Sequence, residues 1–260
     1  MTDQPGIALM PDESLDHINE RLCLIRKKNG LTFGTDAYLL SAFVRPMAGA
    51  RAVDLGSGTG ILPLLLLARE KVGEVTALEI QESFVDLIGR NAAINGLSDR
   101  IHPLHGDVRT LSCRDLGGKE VDLVVSNPPY MRCDSGKPNE HEEKYIARHE
   151  VFGGIGDFCA AAGRILRWGG RFVTVWRPDR LTELLAALHD AALEPKRMVM
   201  VYADAGSEPC AVLTEAVKGA SPSLRLSPPL LLYCKREAGE IARTLTPEAQ
   251  SVYDSCRLFY

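Results

Sequence analysis

The sequence lacks the cysteine and histidine patterns of proteins held together by disulfides or metals. Its seven cysteines are an odd number and form no C-x-x-C pair, so neither a disulfide framework nor a zinc site is indicated. His102 and His105 fall in a predicted strand, at a spacing that places them on opposite faces. We therefore predict a protein that has no structural metal and resides in a reducing compartment.

Long apolar runs and an excess of positive charge are also missing. No run reaches the roughly 18 apolar residues that would span a bilayer, and the acidic N-terminus lacks the basic and apolar regions of a signal peptide. The net charge is −4 and the isoelectric point is near 5.9, so the surface as a whole does not attract nucleic acid. The sequence predicts a soluble cytoplasmic protein, in which a local basic patch would have to hold any nucleic acid.

Apolar runs typical of buried strands alternate with segments of helical period along most of the chain. Strands are predicted at 52–55, 75–79, 101–105, 121–125, 172–176, 198–202 and 211–217. Helices are predicted at 61–70, 84–92, 158–166 and 181–188, the third of them ended by Gly169-Gly170. The alternation predicts an α/β fold with a mostly parallel seven-stranded sheet and helices on both faces.

Two segments do not follow this alternation. Before the sheet, the apolar stretches 22–25 and 31–33 flank a turn at Lys28-Asn29-Gly30 and predict a hairpin, after which Thr35-Asp36 begins a helix. Residues 131–150 are charged and predict a long loop at the rim of the sheet. We predict three regions: an N-terminal extension at 1–48, a core domain at 49–238 and a C-terminal tail at 239–260.

A glycine-rich turn, Asp54-Leu55-Gly56-Ser57-Gly58-Thr59-Gly60, lies between the first predicted strand of the sheet and the next helix. Missing side chains let a ligand approach the backbone there, and the helix N-terminus offers unpaired N–H groups. The turn therefore indicates a nucleotide-like ligand. A dinucleotide and S-adenosylmethionine both suit such a turn, and Glu79 at the end of the next strand would serve either.

Three details favour S-adenosylmethionine over a dinucleotide. The glycine spacing is G-x-G-x-G, and Asp54 precedes it where a cationic amine could be held. Glu79 can accept hydrogen bonds from both ribose hydroxyls. Asp107 follows the third strand and can accept from an adenine amino group, with Ile80 and Val108 on the two faces of the ring. A helix or turn cap is the alternative role for Asp107.

Asn127-Pro128-Pro129-Tyr130 follows a buried strand and forms a stiff turn lined by acceptors. The prolines contribute carbonyl oxygens without N–H donors, so a planar NH2 group would meet acceptors from the Pro128 carbonyl and the Asn127 side chain. Tyr130 can stack on the ring that carries this NH2. A rigid loop with a packed tyrosine is the alternative interpretation, against which the glycine turn upstream favours a site for two ligands.

In this order along the chain, DLGSGTG, ALEIQ, HGD and NPPY resemble the motifs of class I adenine-N6 and related amino methyltransferases, which have a Rossmann-like fold. The segments FGTDA at 33–37, IARHE at 146–150 and Arg177-Pro178 narrow the resemblance to the bacterial tRNA(Val) adenine-N6 methyltransferases. Those enzymes methylate the adenosine immediately 3′ of the anticodon. The resemblance implies S-adenosylmethionine as the cofactor and tRNA as the partner.

The resemblance also assigns roles to individual residues. Catalysis is expected from Asn127, Pro128, Pro129 and Tyr130. Cofactor binding is expected from Thr35, Asp54, Gly56, Gly58, Gly60, Glu79, Ile80, Asp107, Val108 and Asn127; Thr35 would cover the methionine end, with a helix N-cap as its alternative or additional role. The candidates for contacts with the RNA backbone are Arg26, Lys27, Lys28 and Arg148, with Arg132, Lys137 and Lys144 as weaker ones; the alternative for each is a solvated surface charge.

Two other functions stay open at the level of the sequence. An Asn-Pro-Pro-aromatic turn also suits another planar NH2, such as the N2 of rRNA guanine or the amide of a protein glutamine. The short segment before the sheet disfavours the glutamine enzymes, which usually carry a separate helical domain there. The second alternative is a non-catalytic RNA-binding protein that retains the fold.

Overall fold

The computed structural model of the chain describes residues 9–19, 21–28, 34–129, 153–235, 243–255 and 258. The strands are β1 (Glu13–His17), β2 (Cys23–Lys27), β3 (Arg51–Leu55), β4 (Glu74–Glu79), β5 (Ile101–His105), β6 (Val121–Ser126), β7 (Leu166–Trp176), β8 (Leu193–Tyr202), β9 (Pro209–Lys218), β10 (Arg225–Leu226) and β11 (Leu230–Leu231). The helices are α1 (Thr35–Phe43), α2 (Ile61–Ala68), α3 (Glu82–Ile94), α4 (Ile155–Ile165), α5 (Leu181–Asp190) and α6 (Pro247–Ser255), and short 3-10 helices span Cys113–Leu116 and Pro178–Arg180.

The central sheet has the strand order β5-β4-β3-β6-β7-β9-β8, and the two-residue strands β10 and β11 both pair with β8. Pairing is parallel from β5 to β7, whereas β9 is antiparallel to both of its neighbours. The predicted α/β fold with a mostly parallel sheet is confirmed, with two short strands added to the seven expected. The strand order reverses at β3, which is where α/β sheets bind ligands beyond the carboxyl ends of their strands.

Apolar layers cover both faces of the sheet, because alternate residues of a strand point to opposite sides. In β6, Leu123 and Val125 join the layer that contains α1, α2 and α6, while Val124 joins the layer that contains α4 and α5. Nearly all of α2 is buried. This burial holds the helix firmly behind the glycine turn.

The N-terminal hairpin forms with a strand that the sequence did not reveal. Cys23–Lys27 is a strand, and its partner is Glu13–His17, in an antiparallel register. The expected partner at 31–33 lies outside the described residues. The segment ESLDH has little apolar character, and it is held by pairing with β2 and by Arg90 of α3, whose Nη1 lies 2.6 Å from Glu13 Oε1.

The predicted end of the third helix at Gly169-Gly170 is wrong. Helix α4 ends at Ile165, and both glycines lie within β7, where the pairing with β6 changes register. A Cβ on Gly170 would stand 2.8 Å from the Arg167 carbonyl oxygen. Glycine at this position therefore permits a β-bulge and does not end the helix.

Helix α6 near the C-terminus packs into the core. Ala249 and Val252 are fully buried in the same apolar layer as α1, and α6 contacts α1 and β11. The predicted boundaries at 48 and 238 stay a prediction. Within the described ranges, none of the helices is long and apolar enough to cross a membrane, and no cluster of His, Cys, Asp and Glu could hold a metal ion.

Candidate active site

Hydrogen bonds to β4 fix the glycine turn between β3 and α2. The N–H groups of Gly56 and Ser57 donate to the Leu78 carbonyl at 3.0 and 2.9 Å. Gly56, Gly58 and Gly60 have φ angles of 73°, 55° and 81°, in the left-handed region that glycine adopts without strain. The backbone at the carboxyl end of β3 is therefore rigid, and its three glycines carry no side chains that would cover it.

Asp54 lies at the end of β3 with its carboxylate buried. The residue is 2% exposed, and Ser57 Oγ donates to Oδ2. Burial is the main cause that raises the pKa of Asp54 to about 7, and the nearby Glu79 carboxylate contributes in the same direction. No cation pairs with Asp54 within the described ranges. A cationic group on a ligand would therefore stabilise the ionised form of Asp54.

Glu79 connects the end of β4 to the glycine turn. Its Oε2 accepts from the Gly58 N–H at 2.9 Å, and its Oε1 accepts from the N–H groups of Ile80 and Gln81 at 2.9 and 3.0 Å. Burial raises the pKa of the carboxyl, and these three hydrogen bonds oppose that shift. A carboxylate has about four lone pairs, so Oε2 keeps one for a ligand hydroxyl. The contact of Glu79 with both ribose hydroxyls stays a prediction.

Asp107 has a partner that the motifs did not reveal. Its oxygens accept from Arg109 Nε at 3.0 and 2.9 Å, and Oδ1 also accepts from the Arg109 N–H at 2.8 Å. The Arg109 side chain holds the pKa of Asp107 below its ordinary value. The backbone contact is the turn cap named as the alternative role, and the contact of Asp107 with an adenine amino group stays a prediction. Val108 is buried and Ile80 is half-buried nearby.

Asn127 follows β6 and carries an unused acceptor. Its Oδ1 is buried and has no hydrogen-bond partner in the described part of the chain. Ser126 Oγ donates at 2.8 Å to a carbonyl at the end of β3, which fixes the end of β6 beside the strand that leads into the glycine turn. Pro128 is buried and Pro129 half-buried. Tyr130 lies outside the described residues.

A cavity of about 620 Å³ is lined by Asn127, the start of α1, the end of β7 and the start of β9. Because β9 runs antiparallel, its first residues lie at the same edge of the sheet as the last residues of β7. The charged lining residues are Asp36, Arg177, Asp179 and Glu208. The volume is in the range of small-molecule sites, about 300 to 1,000 Å³. The sequence revealed only part of this cavity, because its walls come from distant segments.

Thr35 is the first residue of α1, and Gly34 is the N-cap. The alternative role of Thr35 as a helix cap is therefore not seen. Instead, Thr35 Oγ1 accepts a hydrogen bond from Tyr253 Oη of α6 at 3.0 Å. The proposed contact of Thr35 with the methionine end of a cofactor stays a prediction.

The basic run at the end of β2 has partners within the chain. Arg26 Nε lies 2.6 Å from Asp16 Oδ2, and Lys28 Nζ donates to a backbone carbonyl of the N-terminal segment at 2.8 Å. Lys27 Nζ lies 5.6 Å from the centre of the Phe84 ring. These contacts favour a structural role for the run. The other expected RNA contacts, at 132, 137, 144 and 148, lie outside the described residues.

The methyltransferase small domain family has a model that matches residues 28–191, which is more than half of the chain. The chain belongs to this methyltransferase family. A relative from Porphyromonas gingivalis, a tRNA1(Val) (adenine(37)-N6)-methyltransferase, is 31% identical over 70% of this chain and 72% of its own length. A relative with the same description from Phocaeicola vulgatus is 28% identical over 69% of this chain and 74% of its own length. The resemblance read from the motifs is confirmed.

Solved structures show that this methyltransferase has the fold of its class. A protein from Agrobacterium tumefaciens, described as a predicted O-methyltransferase, has a TM-score of 0.68 at 24% identity and covers 86% of this chain and 98% of its own. The M. jannaschii tRNA m1G37 methyltransferase has a TM-score of 0.56 at 13% identity and covers 81% of this chain and 58% of its own. The predicted Rossmann-like methyltransferase fold is confirmed.

Proposed function

We propose that this methyltransferase uses S-adenosylmethionine to methylate N6 of an adenosine in tRNA, at the position immediately 3′ of the anticodon of tRNA(Val). The observation that carries the proposal is the buried Asn127 Oδ1, which has no partner among the described residues and belongs to a residue that lines a ligand-sized cavity. A buried acceptor left unpaired costs about 1 to 3 kcal/mol. The amino group of an adenine in the cavity would supply the missing donor.

The residues around the glycine turn fit S-adenosylmethionine. Asp54 is a buried carboxylate with no cationic partner in the described ranges, which suits a positively charged ligand. Glu79 keeps a lone pair on Oε2 for a ribose hydroxyl. Asp107 would accept from the adenine of the cofactor in place of one of its contacts with Arg109. When bound there, S-adenosylmethionine supplies an electrophilic methyl group attached to sulfur.

Asn127 and Pro128 act on the nitrogen that receives the methyl group. Adenine N6 is a weak nucleophile because its lone pair is delocalised into the ring. Hydrogen bonds from N6 to Asn127 Oδ1 and the Pro128 carbonyl favour a pyramidal nitrogen whose lone pair is available. These hydrogen bonds strengthen as positive charge develops on N6, so they lower the barrier. The bond from N6 to the methyl carbon forms, the bond from carbon to sulfur breaks with its electrons going to sulfur, and N6 releases a proton.

Tyr130 and the basic residues complete the proposal for RNA. Stacking of the target base on Tyr130 would contribute about 1 to 3 kcal/mol. An adenosine in a loop is also easier to extrude than one in a duplex. The tRNA methyltransferases among the relatives support tRNA as the substrate class, and a cytoplasmic location belongs to the same proposal. Contacts with the RNA backbone are proposed for Arg148. They are also proposed for Arg26, Lys27 and Lys28, whose side chains would contact the RNA in addition to their present partners.

The test is methylation of transcribed tRNA(Val) by the purified chain and S-adenosylmethionine, followed by mass spectrometry of the nucleosides. We expect N6-methyladenosine in the unmodified transcript and none in a transcript with guanosine at the target position. Methylation of guanine N2 or of a protein glutamine, without N6-methyladenosine, would reject the substrate. Calorimetry that shows no binding of S-adenosylmethionine would reject the enzymatic function itself. In cells, tRNA(Val) should lose N6-methyladenosine from the anticodon loop when the gene is deleted.

A further inference from the structure

Asp36 is a second unused acceptor in the cavity that contains Asn127. It lies in the first turn of α1, a helix that contains no lysine or arginine, and it lines the cavity. It is half-buried, and in the part of the chain that the structure describes its carboxylate has no hydrogen-bond or ion-pair partner. Burial raises the pKa of Asp36, as expected for a carboxylate that lacks such a partner.

The other ionisable groups of the cavity differ from Asp36. Asp179 is paired with Arg177 at 2.8 Å, and this arginine lowers the pKa of Asp179. Glu208 is exposed. The pKa of Cys210 is raised, chiefly by burial and in smaller part by the charge of Asp36. Among the carboxylates that line the cavity, Asp36 is thus the half-buried one whose two oxygens have no partner within the described ranges.

We propose that Asp36 is a catalytic residue, whose carboxylate stabilises the positive charge that develops on the substrate nitrogen and accepts the proton that this nitrogen releases. The inference rests on the proposed function and deepens it. Asn127 Oδ1 and the Pro128 carbonyl orient the amino group, but neither oxygen carries a full negative charge. A half-buried carboxylate interacts more strongly with a positive charge nearby than a fully solvated one does.

The proton transfer balances without a further reactant. After the bond from N6 to carbon has formed, the nitrogen carries a positive charge and its original two hydrogens. One N–H bond breaks, its electron pair stays on nitrogen, and the proton binds a carboxylate oxygen of Asp36. The neutral methylamino product leaves, and Asp36 returns the proton to solvent.

The test compares single-turnover methyl transfer to tRNA(Val) by the wild type and by Asp36→Asn, at saturating S-adenosylmethionine so that Asp54 stays ionised. Asparagine preserves the shape and removes the charge and the basicity. We expect the rate to fall by about 10²-fold, in the range for a general base, with the affinities for the cofactor and tRNA changed less than about threefold. The matched control is Glu183→Gln, which removes a carboxylate from the first turn of α5 and should leave the rate unchanged.

The pH profile separates this role from a structural one. The wild-type rate should fall as the pH drops through the raised pKa of Asp36, because the protonated carboxyl cannot accept a proton, whereas Asp36→Asn should lack this limb. Asp36→Glu should recover part of the rate. An Asp36→Asn rate within about threefold of the wild type, or a loss explained entirely by weaker cofactor binding, overturns the inference while the proposed function stands. A wild type that leaves tRNA unmethylated rejects both.

Discussion

At the scale of single residues, the adjacent Ser126 and Asn127 have different roles. Ser126 Oγ satisfies a carbonyl of β3 and so joins two strands of the sheet. The Asn127 side-chain oxygen is buried without a partner in the described ranges. The hydrogen bond of Ser126 stabilises the fold, whereas the buried, unpaired oxygen of Asn127 destabilises it. Under the proposed function, a ligand and not the stability of the fold explains the position of Asn127.

Asn127→Ala should separate chemistry from stability. We expect methyl transfer to fall by about 10²-fold or more, the scale for loss of one preorganised polar group. Cofactor binding should be retained, and the free energy of unfolding should not decrease, because the variant removes an unpaired buried acceptor. Single-turnover rates, calorimetry and urea unfolding measure the three quantities.

Ser126→Ala is the matched control for Asn127→Ala. It should lower the free energy of unfolding by about 1 kcal/mol through the lost hydrogen bond and leave the rate of transfer close to that of the wild type. Near-normal turnover by Asn127→Ala would refute the proposed role of Asn127. A large loss of stability in that variant would show that the amide supports the fold.

At the scale of elements, helix α1 is held at both ends. At its C-terminus, the buried Lys71 donates to the carbonyls of Ala42 and Val44 at 3.3 and 2.7 Å, groups that a helix end otherwise leaves unpaired. At its N-terminus, Tyr253 of α6 donates to Thr35. Helix α6 therefore positions the turn of α1 that carries Asp36, which gives the C-terminal region a role that its sequence did not indicate.

A double-mutant cycle with Thr35→Val and Tyr253→Phe should reveal this coupling. Each single variant removes the same hydrogen bond and should lower the free energy of unfolding by about 1 kcal/mol. The double variant should be hardly less stable than either single variant, with an interaction energy of about 0.5 kcal/mol or more. Urea unfolding measures all three variants. Strictly additive losses would mean that the two hydroxyls act independently.

At the scale of the whole molecule, the site places two buried carboxyl groups near each other at the centre of the sheet. Asp54 and Glu79 are both nearly fully buried at the ends of adjacent parallel strands. Burial raises the pKa of each, so both carboxyls oppose folding when they are ionised. The free enzyme should therefore be more stable when these groups are protonated, or when a cationic ligand occupies the site.

The pH dependence of stability should show the contribution of Asp54. Its folded pKa of about 7 lies above the ordinary 3.8, so between these values the folded state binds a proton that the unfolded state does not. The stability that Asp54 contributes is fully present below its ordinary pKa and is lost as the pH rises through about 7. Asp54→Asn should abolish this loss, so that the variant gains stability relative to the wild type as the pH rises from 3.8 to about 7, with a constant difference above that range.

Urea unfolding at several pH values, without the cofactor, measures the difference between the two proteins. A difference that stays constant from pH 3.8 to about 7 would contradict the buried, protonated state of Asp54. In the wild type, S-adenosylmethionine should bind more tightly as the pH rises through about 7, because only ionised Asp54 attracts its positive charge.

Particular residues show which parts of the fold and of the site could be predicted from the sequence. The strand ends at Leu55, Glu79 and Ser126 lie within one residue of the predicted positions, because each is followed by a turn or a proline. The strand β1 was missed because its residues are polar, and Gly169-Gly170 was misassigned because a glycine pair is typical of both a helix end and a bulge. Arg109 and Tyr253 were missed as partners because side-chain contacts have no periodic signal.

The sequence by itself determined the fold class, the glycine turn, the order of the motifs and the methyltransferase family. These features are encoded locally, in periodicity, in glycine and proline, and in short motifs that a strand end presents in one place. Only the tertiary structure decided that Asp36, Asn127 and the start of β9 surround one cavity and that α6 holds the helix beside it. The reason is physical: the parallel sheet with its antiparallel strand β9 brings distant chain segments to the same edge. The spacing of residues along the chain does not predict which of these segments come into contact.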